Sequence, residues 1–179
     1  VDIYYDGISV ATGSTNINGN FAITITIPES YKGAHKVLVV VGAYAETVEL
    51  ETRFTVKPGL LISPEQGPVG TNVTVKGRGF AKDEAGIELR YYLDGTYETI
   101  ERNIAANAKG SWQTSFQIPF STKGEHKIGA QGTKSKLYDV EDATFKVTTE
   151  ISLDKSSGSV SENIVMTGTP FAAYKRGIK

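Results

Sequence analysis

Gly110–Pro119 reads GSWQTSFQIP, and 91 residues earlier Gly19–Pro28 reads GNFAITITIP. The same offset lays Gly33–Val37 (GAHKV) on Gly124–Ile128 (GEHKI) and Arg53–Val56 (RFTV) on Thr144–Val147 (TFKV). Three blocks in one register define an internal repeat. Strands are expected around them at Leu60–Ser63, Thr71–Lys76, Ile87–Leu93, Tyr97–Ile104, Ser111–Ile118, His126–Ala130 and Ala143–Thr148, with turns at Asp94-Gly95, Lys109-Gly110 and Lys123-Gly124. Thr, Val, Ile, Tyr and Gly dominate, and no stretch keeps an apolar period of 3.6 for ten residues, so the chain reads as all-β. About seven short strands with turn signals every 8 to 12 residues describe an antiparallel β-sandwich.

Ser63–Phe80 matches Leu153–Phe171 at the same offset, with Gly67 on Gly158, Gly77 on Gly168 and Phe80 on Phe171. The match runs through Gly86-Ile87 onto Gly177-Ile178. Writing GIK (Gly177–Lys179) before VDIYYDG (Val1–Gly7) reproduces GIELRYYLDG (Gly86–Gly95), with Tyr4 on Tyr92. Residues 60–150 are therefore expected to form one whole domain. Residues 1–59 are expected to be the carboxy-terminal part, and 151–179 the amino-terminal strands, of a second domain split within one strand.

ISPEQGPVGTNVTVKGRGF (Ile62–Phe80) resembles the opening of an IPT/TIG-type immunoglobulin-like repeat: a short strand, a Pro/Gly turn, an alternating strand and a Gly-Phe. GSWQTSFQIP and GEHKIGA are similar to the second half of Ig-like modules repeated in bacterial and archaeal surface proteins. The resemblance implies tandem Ig-like β-sandwiches of about seven antiparallel strands, one complete and one split between the two chain ends. It also implies an extracellular or cell-surface location. The split copy departs at Thr169-Pro170, where the whole one has Arg78-Gly79.

Composition narrows the function classes. Among 179 residues, 19 basic and 20 acidic side chains are scattered, so no basic stripe announces nucleic acid. The longest apolar run, Val37–Ala45, is about half of the ~20 residues a membrane-spanning helix needs, so no membrane insertion is expected in this segment. The absence of cysteine removes disulfides, thiolate metal sites and thiol nucleophiles. The two histidines, His35 and His126, share one repeat position without converging partners and read as structural. Asp83-Glu84 and Asp139, Glu141 and Asp142 lack the spacing of a calcium loop and read as solvated charge. Trp112, on Phe21, reads as core. With no phosphate loop, nucleophile elbow or carboxylate pair, neither an enzyme nor a cofactor is expected. Asn72-Val73-Thr74 is the single glycosylation sequon.

The split suggests assembly. The front piece is expected to present Val1, Ile3, Tyr5, Phe21, Ile23, Ile25 and Ile27 as an acceptor surface, the last four on an uncovered sheet with open edges. The rear piece offers Ile151, Leu153, Ile164, Met166, Phe171 and Ile178 as the donor. The partner is then the protein itself, whether as adjacent repeats of one polypeptide or as copies joined by strand complementation. Fold-back onto the same chain is a third arrangement. Either of the first two gives an unbranched extracellular filament, sheath, stalk or S-layer-type assembly. Leu38 and Val40, where the whole copy has Gly129 and Gln131, are expected to face outward as a lateral contact, or to lie under loops. The competing reading is an adhesin or carbohydrate-binding module that contacts a cell-surface glycan through Tyr31, Tyr44 and Tyr138.

Overall fold

The computed structural model describes residues 1–43 and 46–171. Tyr44 and Gly177–Lys179, with Ile178, lie outside the described residues. The molecule is all-β. Its complete module is built from β5 (Gly59–Ser63), β6 (Gln66–Gly67), β7 (Asn72–Arg78), β8 (Ile87–Leu93), β9 (Thr96–Ile104), β10 (Trp112–Gln117), β11 (Gly124–Gln131) and β12 (Ala143–Val147). Two sheets of order β10-β7-β5 and β6-β12-β11-β8-β9 pack face to face. This is the two-sheet arrangement of an immunoglobulin-like sandwich. Alternation supplies the core: Val73 and Val75 from β7, Leu89 and Tyr91 from β8, Ile128 from β11, and Phe145 and Val147 from β12 are all fully buried.

The front piece forms one sheet of order β2-β1-β3-β4, from β1 (Asp2–Tyr5), β2 (Ile8–Thr12), β3 (Gly33–Ala43) and β4 (Glu46–Val56). It reproduces β9-β8-β11-β12 of the complete module: His35 pairs with Phe54 as His126 pairs with Phe145. Asp6 and Gly7, both at positive φ, close the β1–β2 hairpin as a primed turn. The rear piece is β13 (Glu150–Leu153) paired with β14 (Met166–Thr169). Ile151 lies opposite Gly168, as Leu60 lies opposite Gly77.

The strand register corrects one sequence equivalence. Tyr5 pairs with Val37 and stacks on His35 at 5.2 Å, while Tyr91 pairs with Ile128 and stacks on His126 at 5.3 Å. Tyr5, and not Tyr4, therefore holds the inward position; Tyr91, not Tyr92, is its counterpart. Strand β8 runs two residues beyond its stacked tyrosine before the hairpin turns. Both tyrosyl hydroxyls have their pKa pushed up by burial.

The acidic loop reading is also corrected at Glu84, which is 1% exposed. Its carboxylate accepts hydrogen bonds from the backbone N–H groups of Ala81 (3.2 Å), Lys134 (2.6 Å) and Ser135 (2.9 Å), and from Ser135 Oγ (2.6 Å). Burial pushes this carboxyl up, and the donors outweigh burial and hold it below the ordinary glutamate range. Glu84 thereby ties the loop before β8 to the loop after β11. It is structural charge, not solvated charge.

The two modules meet through short contacts. Lys32 N–H donates to Phe80 O at 2.8 Å, and its ammonium reaches Asp139 at 2.5 Å and Lys134 O at 3.2 Å. A Cβ at Gly110, which has φ +72, would lie 2.0 Å from Phe80 O and 2.9 Å from the Tyr31 Cα. Glycine is required there both for its conformation and for the close approach.

Candidate assembly site

The site consists of the two half-modules, and the complete module serves as their template. In that template β10 completes the sheet on β7, with Trp112 opposite Gly77 and Gln117 opposite Asn72. A Cβ at Gly77 would sit 2.1 Å from the Trp112 ring, so this glycine is a notch that receives the indole. Phe80 stands edge-on to Trp112 at 5.4 Å.

The counterpart of β10 in the front piece, Asn20–Ile27, has no strand partner among the described residues. Its isoleucines nevertheless find cover. Ile23, Ile25 and Ile27 pack half-buried over Ile3, Tyr5 and Val37. This corrects the expectation of an uncovered sheet: Ile3 and Tyr5 are already buried inside their own half-module, with Val1 partly buried beside them. The hydrophobic effect closes the segment onto the sheet even though its backbone groups lack a ladder.

What stays open is the surface that β5 and β7 cover in the complete module. Phe145 is 0% exposed and its counterpart Phe54 is 44% exposed. The same comparison gives 6% for Trp112 against 41% for Phe21; on the rear piece, Ile151 is 63% exposed against 7% for its counterpart Leu60. On the donor side Val73 and Val75 are fully buried, while Ile164 and Met166 are 52% and 65% exposed; Phe80 is buried and Phe171 is 43% exposed. Leu153 is exposed as well. Val48 and Leu50, on the same strand as Phe54, are exposed too. The front and rear pieces thus leave exposed several positions whose repeat counterparts are buried in the core of the complete module.

Other residues singled out in the sequence take structural positions. Trp112 is a core residue. His35 directs Nδ1 at Asp6 Oδ2 (2.6 Å) and Nε2 at Tyr31 O (2.8 Å), and His126 directs the same atoms at Tyr92 O (3.1 Å) and Thr122 O (2.8 Å). All four ring nitrogens are engaged by protein oxygens, which leaves none of them to ligate a metal. The hydrogen bond with His35 holds the Asp6 carboxyl below its usual range. Leu38 and Val40 are half-buried, opposite Tyr4 and Asp2 on β1 and Glu51 and Glu49 on β4. Asn72 is exposed at the start of β7.

No family model and no curated protein sequence matches the chain. Among solved structures it is similar to a tetra-tandem repeat in the extending region of a large adhesion protein, with 11% identity and a TM-score of 0.39. That match covers 96% of this chain, which spans 55% of the other.

Tyr31 and Tyr138 occupy separate positions. Tyr31 meets His35 edge-on at 4.9 Å and sits at the module junction, whereas Tyr138 projects almost fully exposed beside Asp139. Sequence reasoning missed Ile17, which stands fully exposed in the Asn16–Asn20 turn. Its signal was an apolar residue inside an Asn/Gly turn. Among the described residues no helix is long and apolar enough to cross a membrane.

Proposed function

We propose that this chain is the two-module structural period of an extracellular filament, stalk, sheath or S-layer-type assembly, in which copies join head to tail through their half-modules. One observation carries the reading. Within one polypeptide, several repeat positions that are buried in the complete module are exposed in the front and rear pieces, as with Phe145 and Phe54. Burying a large apolar side chain is worth about 1.5–3 kcal/mol, and several such residues lie on each face. The resemblance to IPT/TIG-type repeats of surface proteins supports the extracellular setting. There a glycan on Asn72 would project from the outer face of the β10-β7-β5 sheet.

The test is sedimentation of the whole chain over a range of concentrations, with electron microscopy of the heaviest fractions. End-to-end strings with a repeat of two modules are expected. A species that remains monomeric at every concentration removes the reading. Lateral association is a separate prediction: Leu38→Gln combined with Val40→Gln should leave string length unchanged and thin the side-by-side bundles. Equal bundling in the double variant would show that this stripe makes no lateral contact.

A further inference from the structure

The donor edge has a defined register and a defined plug. In the complete module the space above Gly77 is filled by Trp112. At Gly168 the equivalent space holds the Phe171 ring, with Cε2 2.6 Å and Cζ 3.1 Å from where a Cβ would lie. Phe171 is the repeat counterpart of Phe80, which in the complete module stands beside the notch instead of inside it. The notch of the rear piece is thus occupied by its own flanking aromatic.

The element that would replace Phe171 is already shaped. In the turn Asn16–Asn20, Asn16 Oδ1 accepts from Asn18 N–H (2.9 Å) and Asn20 N–H (3.0 Å), and Gly19 N–H donates to Asn16 O (2.9 Å). The turn Asn107–Ser111 makes the same bonds: Asn107 Oδ1 accepts from Lys109 (2.9 Å) and Ser111 (3.0 Å), and Gly110 N–H donates to Asn107 O (2.9 Å). That second turn lies against the front piece: Phe80 N–H of its own module donates to Gly110 O, and Ala108 and Lys109 line a cleft of about 150 Å³ with Tyr31 and His35 of the front piece. At the other end of the complete module the corresponding place is a largely apolar cavity of about 480 Å³, bordered by Phe120, Thr122, His126 and Phe171. Among the described residues no side chain fills it. Ile17, the counterpart of Ala108, is the bulkier and fully exposed side chain that suits it.

We propose that Asn16–Ile27 of a second copy adds as the third strand on the open edge of β14, with Phe21 opposite Gly168 and Ile17 seated in the cavity by Phe120. Phe171 leaves the notch and stands edge-on to the incoming Phe21, as Phe80 stands to Trp112. The inference rests on the head-to-tail reading and adds its register, its knob and its plug. In this register Thr24 of one copy lies opposite Val165 of the other, as Ser115 lies opposite Thr74 with their hydroxyls 3.1 Å apart.

The chain has no cysteine, so directly opposite positions can be linked without background. Chains carrying Thr24→Cys and chains carrying Val165→Cys are mixed and oxidised, beside a mixture of Ala22→Cys and Val165→Cys chains that reports a slip of two residues. Directly opposed Cβ atoms suit a disulfide, and diagonal ones lie beyond its reach. The Thr24/Val165 mixture should give at least about tenfold more heterodimer, since only that pair is directly opposed. Ile17→Ser should lower that yield while leaving the chain folded by circular dichroism. Sedimentation of the unmodified chain supplies the independent readout. Assembly with preferential linkage through Ala22, or equal linkage of both pairs, overturns this register and leaves the head-to-tail reading standing. Linkage through Thr24 that Ile17→Ser does not reduce overturns the knob. Absence of both assembly and heterodimer overturns the two together.

Discussion

Phe145→Ala should lower the stability of the complete module by about 3–5 kcal/mol, whereas Phe54→Ala, at the same repeat position, should cost the unassembled chain well under half of that. The difference comes from packing. Phe145 is completely enclosed between the two sheets, so its removal leaves a cavity that the close-packed surroundings fill only in part. Phe54 has almost half its surface in water, so its truncation opens a recess that solvent already reaches. Thermal or urea unfolding of the two variants at low concentration checks the prediction. Repeating the Phe54→Ala measurement on the sedimented strings sharpens it, because completion of the split module by a neighbour would raise the cost toward that at Phe145. A Phe54→Ala cost that stays small after assembly would mean that the β4 face is not the one covered.

Glu84→Gln should destabilise the complete module by about 2–3 kcal/mol. The substitution keeps the shape and removes the charge. It also turns an amide NH₂ toward one or more of four donors, the Ala81, Lys134 and Ser135 N–H groups and the Ser135 hydroxyl. Because the site is buried, a donor facing a donor has no water to turn to. The pH dependence carries a sign that can be checked. The folded state holds this carboxyl below its unfolded value, so its stabilisation is complete above the unfolded glutamate range, about pH 4.3. It is lost as pH falls through the lower folded value. Denaturation midpoints measured from neutral to acidic pH should fall more steeply for the native chain than for Glu84→Gln. Parallel curves would mean that Glu84 contributes nothing that depends on its charge.

The repeat was legible because its landmarks are residues whose roles survive duplication. The glycine at 77 and 168 is a notch that holds an aromatic ring, Trp112 in one copy and Phe171 in the other, and the histidine at 35 and 126 is a buried partner of tyrosine. Each is recognisable locally. The alternation of β7 and β12 likewise gave the buried face directly. Other features depend on distance in the chain. The ungapped alignment lays Tyr4 on Tyr92, whereas the stacking of Tyr5 on His35 and of Tyr91 on His126 makes Tyr5 and Tyr91 the equivalent pair. The burial of Glu84 needs backbone donors about 50 residues away, which no local pattern announces. The covering of Ile3 and Tyr5 by Ile23, Ile25 and Ile27 shows that an unpaired segment still collapses onto the nearest apolar surface. Ile17 was passed over because its turn looked like an ordinary Asn/Gly turn. Its interest arises only against the cavity at the far end of the complete module.

The pairing of β6 with β12 sets how the complete module would respond to tension. This short pair is parallel: Lys146 lies opposite Gln66 and Val147 opposite Gly67, with Lys146 N–H donating to Glu65 O and Thr148 N–H to Gly67 O, each at 2.9 Å. The chain enters the module at β5, passes directly into β6, and leaves at the end of β12. A pull on the two ends therefore draws these strands in opposite directions along their own axes. The load falls on both hydrogen bonds as shear, so they must fail together, whereas an antiparallel pair pulled from one end opens one rung at a time.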